Sequence, residues 1–201
     1  MKTLVITDAQ NDFMPGGALA VPDGDQIIPV INRIQDKFSL VVATQDWHPQ
    51  NHSSFASNHD GKKPFDRIEW HGLEQILWPD HCVINSQGAE FHADLKTDKI
   101  EAVFRKGMDR DIDSYSGFYD NGHKKSTGLA GYLRERNAME LYFCGLAADF
   151  CVNYSIMDAL NEGFNGTLIE DATRPIDPEK YKKIRDILTS KGCRILKSRF
   201  I

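Results

Sequence analysis

The stretch Leu141-Tyr142-Phe143-Cys144-Gly145-Leu146-Ala147-Ala148-Asp149-Phe150-Cys151-Val152 constrains the chain more than any other. It opens as an apolar run with aromatic residues, the composition of a buried strand, and breaks at Gly145. Beyond the break, Val152, Ile156, Ala159 and Leu160 fall on one helical stripe, and Gly163 stands where such a helix would stop. A strand, a tight Gly-Leu-Ala turn and a helix in direct succession call for helices packed on a parallel sheet.

The pattern recurs along the chain. Leu4-Val5-Ile6 is a fully apolar run ending at Thr7-Asp8, and helical spacing follows at Ile27, Ile28, Ile31 and Ile34. Leu40-Val41-Val42-Ala43-Thr44 stops at Gln45-Asp46, and Ile100-Glu101-Ala102-Val103-Phe104 runs to Arg105-Lys106-Gly107. Leu129, Tyr132 and Leu133 predict a short helix, with Ser126 or Thr127 as its N-cap. Gly166 to Asp171 reads as a fifth strand and Cys193 to Leu196 as a sixth. Between them Asp177-Pro178-Glu179 opens a helix that ends at Lys191-Gly192. The expectation is one α/β domain over residues 1–201, three-layered, with a central parallel sheet of about six strands and helices on both faces.

The region from about residue 46 to residue 98 breaks the pattern. It carries six of the seven histidines and all three tryptophans, is punctuated by Pro and Gly, and shows little clear periodicity. A long loop inside a compact domain is usually functional, so this excursion is expected to cover a site. Composition removes other classes of function. The net charge is -5 with no basic tract, which argues against nucleic acid or an anionic membrane as the main partner and leaves a small molecule. The N-terminal apolar run is too short for a signal peptide, and no later run could span a bilayer. Cys82, Cys144, Cys151 and Cys193 form no C-x-x-C pair, so the expectation is free thiols in a reducing cytoplasm. A homo-oligomer is compatible with this composition.

Ligands of open parallel sheets bind beyond the carboxyl ends of the strands. Asp8, Asp46 and Lys106 end strands, and Cys151 opens the helix after one. Cys151 at a helix N-terminus would favour thiolate and could attack an acyl carbon. Asp8 would take and return the proton, Lys106 would stay charged beside it, and backbone N–H groups near Ala147 and at Cys151 could form an oxyanion hole. The same residues also fit a buried apolar cysteine and an ordinary buried ion pair. Asp46-Trp47-His48 puts a carboxylate and an imidazole on one side of an extended segment, with His52 and His81 further on. This set suits Zn, Fe, Mn or Co, although loop histidines are more often merely solvated. Phe13 and Trp78 adjoin these groups, either as exposed rings that sandwich a flat substrate or as core packing.

Asp8-Ala9-Gln10-Asn11-Asp12-Phe13, Asp46-Trp47-His48-Pro49, Trp78-Pro79-Asp80-His81-Cys82, Phe104-Arg105-Lys106-Gly107, Asp113-Ser114-Tyr115-Ser116 and Gly145 to Val152 together resemble the nicotinamidase/pyrazinamidase family of the isochorismatase-like cysteine hydrolases. The motifs run in family order over nearly the whole chain. The resemblance implies a Cys151-Asp8-Lys106 triad. It implies one divalent metal, zinc first with iron or manganese as alternatives, on Asp46, His48 and His81, and His52 as a further or outer ligand. It places Phe13 and Trp78 on either side of the substrate ring, Tyr115 near the pocket, and a cis peptide at Leu146-Ala147. The implied reaction is nicotinamide to nicotinate and ammonia in NAD salvage, with pyrazinamide also accepted. Ala148 departs from the family's usual Thr, which removes one hydroxyl behind the nucleophile. The alternatives are another amidase or isochorismatase-type hydrolase of the superfamily, or a non-catalytic metal- or ligand-binding protein.

Overall fold

In the computed structural model, which describes residues 1–201, the apolar runs are the strands of one sheet. β1 (Lys2–Thr7), β2 (Leu40–Asp46), β5 (Ile100–Lys106), β6 (Glu140–Leu146), β7 (Asn165–Arg174) and β8 (Arg194–Leu196) pair in the order β5-β2-β1-β6-β7-β8. Every pairing is parallel. β1 is central, with Leu4 beside Val41 on one side and Tyr142 on the other. A strand so placed is buried on both faces, which is why Leu4, Val5 and Ile6 carry no polar residue among them.

Alternate strand residues feed two cores, as the period of two requires. Leu4, Ile6, Val41 and Ala43 pack with Ile27, Ile31 and Ile34 of α1 (Ile27–Ile34). Val5, Val42 and Phe143 pack on the other face. There they meet Leu129 of α2 (Leu129–Glu135), Ile156 of α3 (Cys151–Asn161) and Leu188 of α4 (Pro178–Ser190). The three layers follow from handedness: from the centre the chain winds outward in both directions, and right-handed crossovers then put the helices on opposite faces. The order reverses between β1 and β6, so their carboxyl ends splay around a crevice.

Three local expectations need adjustment. The excursion is not without periodicity: β3 (Arg67–Trp70) and β4 (Leu73–Ile76) form an antiparallel hairpin. His71 and Gly72 both adopt positive φ there (50° and 78°), as a two-residue hairpin turn of this twist demands. Second, Gly128, with a left-handed φ of 91°, occupies the N-cap of α2 in place of Ser126 or Thr127. The Thr127 hydroxyl still accepts the Leu129 N–H at 3.2 Å. Third, β6 runs through Gly145 to Leu146. Gly145 adopts φ 107°, and a Cβ there would collide with the Thr7 carbonyl of β1. At α4, Asp177 is the N-cap and Pro178 follows it in the first turn, as the sequence predicts. All four cysteines are free, and no helix is long and apolar enough to cross a membrane.

Candidate active site

The carboxyl ends of β1, β2, β5 and β6 bring Asp8, Asp46, Lys106 and Cys151 together, and all four are buried. Asp8 sits one residue past β1 with φ 46°, and the Thr44 hydroxyl donates to its Oδ1 at 2.6 Å. The Lys106 ammonium lies 2.9 Å from Asp8 Oδ2 and 2.6 Å from Asp46 Oδ1, and donates to the Ser114 carbonyl at 2.9 Å. Cys151 Sγ lies 3.5 Å from the same nitrogen. Carboxylate oxygens of Asp8 and Asp46 and the sulfur of Cys151 lie within 4.8 Å of one another.

One lysine thus faces two carboxylates, and the balance of charge follows. Burial pushes Asp8 above its ordinary range; Lys106 opposes this and Asp46 reinforces it. Burial also pushes Asp46 up, but Lys106 and then His48 hold it well below the usual carboxylate range. Burial alone would discharge Lys106, yet Asp46 and Asp8 keep it charged. Cys151, expected to favour thiolate at a helix N-terminus and to pass its proton to Asp8, lies under competing influences. Burial drives the thiol well above its ordinary value, and although Lys106 pulls it down, Asp8 and Asp46 push it up. The thiol rests protonated beside Asp8, a carboxylate of raised proton affinity.

Leu146–Ala147 is a cis peptide, the position the resemblance implies. The Ala147 carbonyl accepts from Phe150 N and Val152 N, each at 3.1 Å, closing the turn beneath Cys151. The N–H groups of Ala147 and Cys151 make no hydrogen bond within the chain. Ala148 is buried, and its N–H donates to the Arg174 carbonyl at 2.8 Å.

Asp46 turns its other oxygen toward two histidines: Oδ2 lies 3.7 Å from His48 Nε2 and 3.9 Å from His81 Nε2. His48 Nδ1 donates to the Gly107 carbonyl (2.9 Å) and His81 Nδ1 to the Pro79 carbonyl (2.8 Å). In the neutral rings this leaves both Nε2 lone pairs free on the Asp46 side. Burial and the neighbouring His48 push His81 down to about 4, so it is a neutral imidazole at neutral pH. One ionised carboxylate and two imidazole nitrogens, all within 4.8 Å of one another, fit a divalent metal. His52 stands outside this set. It packs on His48 with ring centroids 4.4 Å apart and groups with His48 and Asp113. Its Nδ1 meets the Ser54 hydroxyl at 2.7 Å and the Ser54 N–H at 3.2 Å, and its buried Nε2 has no hydrogen-bond partner.

Phe13 and Trp78 are buried, not exposed, in one apolar cluster with Leu146 and Ala147. Phe13 makes an edge contact with His81 at 5.6 Å. Trp78 makes one with Phe150 at 5.0 Å and donates its indole N–H to the Tyr115 hydroxyl at 3.3 Å. Several residues that the sequence reading passed over also shape the site. Gln10 accepts the Asp46 N–H and donates to the Asp46 carbonyl, both at 2.8 Å, so it fixes that residue's backbone. Thr44 orients Asp8, Ser114 fills a donor of Lys106, and Phe150 extends the aromatic wall. Their only signal in the sequence was position: Gln10, Ser114 and Phe150 lie inside the quoted motifs, and Thr44 lies two residues before Asp46.

A parallel sheet whose switch point gathers a thiol, a carboxylate and a lysine beside an Asp-His-His set defines a class. The isochorismatase domain family matches residues 2–198, and the chain belongs to it. Within that class, the nicotinamidase of Acinetobacter baylyi is 51% identical over 174 residues, covering 87% of this chain and 81% of the relative. The structure of a nicotinamidase/pyrazinamidase from Acinetobacter baumanii superimposes with a TM-score of 0.96 at 45% identity, over 99% of this chain and 97% of that one. The pyrazinamidase of Pyrococcus horikoshii, solved in complex with zinc, gives a TM-score of 0.81 at 38% identity over 98% of each chain.

Proposed function

We propose that this chain is a nicotinamidase that hydrolyses nicotinamide to nicotinate and ammonia through an acyl-enzyme on Cys151. Pyrazinamide, which keeps the ring nitrogen and the carboxamide, is a second substrate, and the reaction serves NAD salvage in the cytoplasm. The observation that carries the reading is a buried thiol 3.5 Å from the Lys106 ammonium, which lies 2.9 Å from Asp8 and 2.6 Å from Asp46, the carboxylate that also faces His48 and His81.

Asp8 takes the Cys151 proton as the sulfur attacks the carboxamide carbon. Lys106 keeps its charge and holds Asp8 and Asp46 in place as negative charge moves onto substrate. The free N–H groups of Ala147 and Cys151 receive the oxyanion. Collapse expels ammonia with the proton from Asp8 and leaves a thioester. Asp8 then deprotonates water, which attacks the thioester, releases nicotinate and restores the thiol. Phe13, Trp78, Leu146 and Tyr115 supply the apolar walls for the ring. A divalent metal on Asp46, His48 and His81, zinc by its donor set and the zinc-bound relative, would supply a Lewis acid that anchors the ring nitrogen.

The test is ammonia release from nicotinamide by purified protein, with and without prior chelation. The expected result is release that chelation abolishes and added zinc restores, and loss of at least about a thousandfold in turnover for Cys151→Ala. Release by Cys151→Ala at the parent rate would overturn the thiol mechanism. No release from metal-loaded parent protein would remove nicotinamide as substrate.

A further inference from the structure

The turn that carries Cys151 is held from outside the site by the start of α4. The Asp149 carboxylate, fully buried, accepts N–H groups from Ile176 at 2.8 Å and Asp177 at 3.1 Å. Asp177 in turn caps α4, accepting from Glu179 N and Lys180 N. The first turn of α4 is therefore fixed against residues 149–150. On that turn stands Lys180, whose Nζ lies 3.3 Å from the centroid of the Phe150 ring.

This placement runs against local preference. A cation in the first turn of a helix opposes the dipole. No carboxylate oxygen lies within ion-pair distance of Lys180, and partial burial pushes its ammonium below its ordinary value against the longer-range pull of Asp149 and Asp177. A surface lysine would escape these costs by turning outward. Its direct contact is the face of Phe150, an attraction that strengthens as the ammonium is desolvated. Phe150 immediately precedes the nucleophile and makes edge contacts with Trp78 at 5.0 Å and Tyr115 at 5.6 Å.

We propose that Lys180 is a positioning residue for substrate: its ammonium clamps the Phe150 ring and so fixes the aromatic wall of Phe150, Trp78 and Tyr115 against which the substrate ring packs. The inference rests on the nicotinamidase reading. It separates binding from chemistry, because the sulfur is placed by contacts that Lys180 does not make. The Ala147 carbonyl holds the turn and Asp149 holds it to α4 without the lysine side chain.

Steady-state ammonia release would be compared for the parent, Lys180→Met and Lys180→Arg, with Tm measured for each. Methionine keeps the stem and removes the charge; arginine keeps a cation that stacks on an aromatic face. The expected result is a KM for nicotinamide about fivefold higher in Lys180→Met, kcat within about twofold of the parent, no fall in Tm, and recovery of KM in Lys180→Arg. A KM in Lys180→Met within about twofold of the parent, a larger effect on kcat than on KM, or no recovery with Arg would overturn the proposal. A parent protein inactive on nicotinamide would sink the nicotinamidase reading and this inference with it. An active parent with an unchanged Lys180→Met would sink this inference alone.

Discussion

Lys106 is the residue on which the site's electrostatics turn. Its three ammonium protons face Asp8, Asp46 and the Ser114 carbonyl, with the Cys151 sulfur as a longer fourth neighbour. It cannot neutralise both carboxylates fully, and they divide: Asp46 is held low while Asp8 is left high. That division assigns Asp8 to proton transfer. It also gives a pH prediction with a definite sign. Asp8 must be ionised to take the thiol proton, so kcat/KM falls as pH drops through its raised pKa. The Thr44 hydroxyl favours the ionised form by donating to it. Thr44→Val should raise that pKa further and move the acid limb of kcat/KM to higher pH by about one unit, with the plateau changed little. A pH profile of ammonia release checks this; an acid limb left in place would deny Asp8 the base role.

At the scale of elements, the strand–turn–helix unit around Cys151 and the start of α4 act together. Asp177 satisfies two free N–H groups of α4 with its side chain and helps hold the nucleophile turn with its backbone. Asp177→Ala should cost about 1 kcal/mol as a lost cap. In a chain of this size that lowers Tm by roughly 2–4 °C, measurable by calorimetry. The elements differ in how openly the sequence declares them. Leu4-Val5-Ile6 and Asp177-Pro178-Glu179 are legible because burial on two faces and helix capping each demand a narrow set of residues. The β3–β4 hairpin was less so: Arg67-Ile68-Glu69-Trp70 and Leu73-Glu74-Gln75-Ile76 are only four residues each, half polar and mostly partly buried or exposed. The turn between them is His71-Gly72, not the Asn-Gly or Asp-Gly pair that most clearly announces a two-residue hairpin.

At the scale of the molecule, the sheet order places the thiol chemistry and the metal-ligating set a few ångströms apart, with Asp46 serving both through its two oxygens. A metal bound only by the folded chain stabilises it by mass action. Chelation should therefore lower Tm by several degrees, and His81→Ala should melt at one temperature with or without chelator. A parent Tm indifferent to chelation would remove the metal from Asp46, His48 and His81. The sequence by itself determined the class of fold, the strand ends at Asp8, Asp46 and Lys106, the helix start at Cys151 and the family, because periodicity, breakers and short motifs are local properties of the chain. Only the tertiary structure decided that Lys106 is shared by Asp8 and Asp46, that Cys151 rests as a thiol, that His52 stands outside the Asp46 set, and that Lys180 reaches Phe150. Each of these depends on burial and on distances between residues far apart in sequence. Desolvation and Coulomb energy act through space, and no pattern along the chain records how near two strand ends will lie.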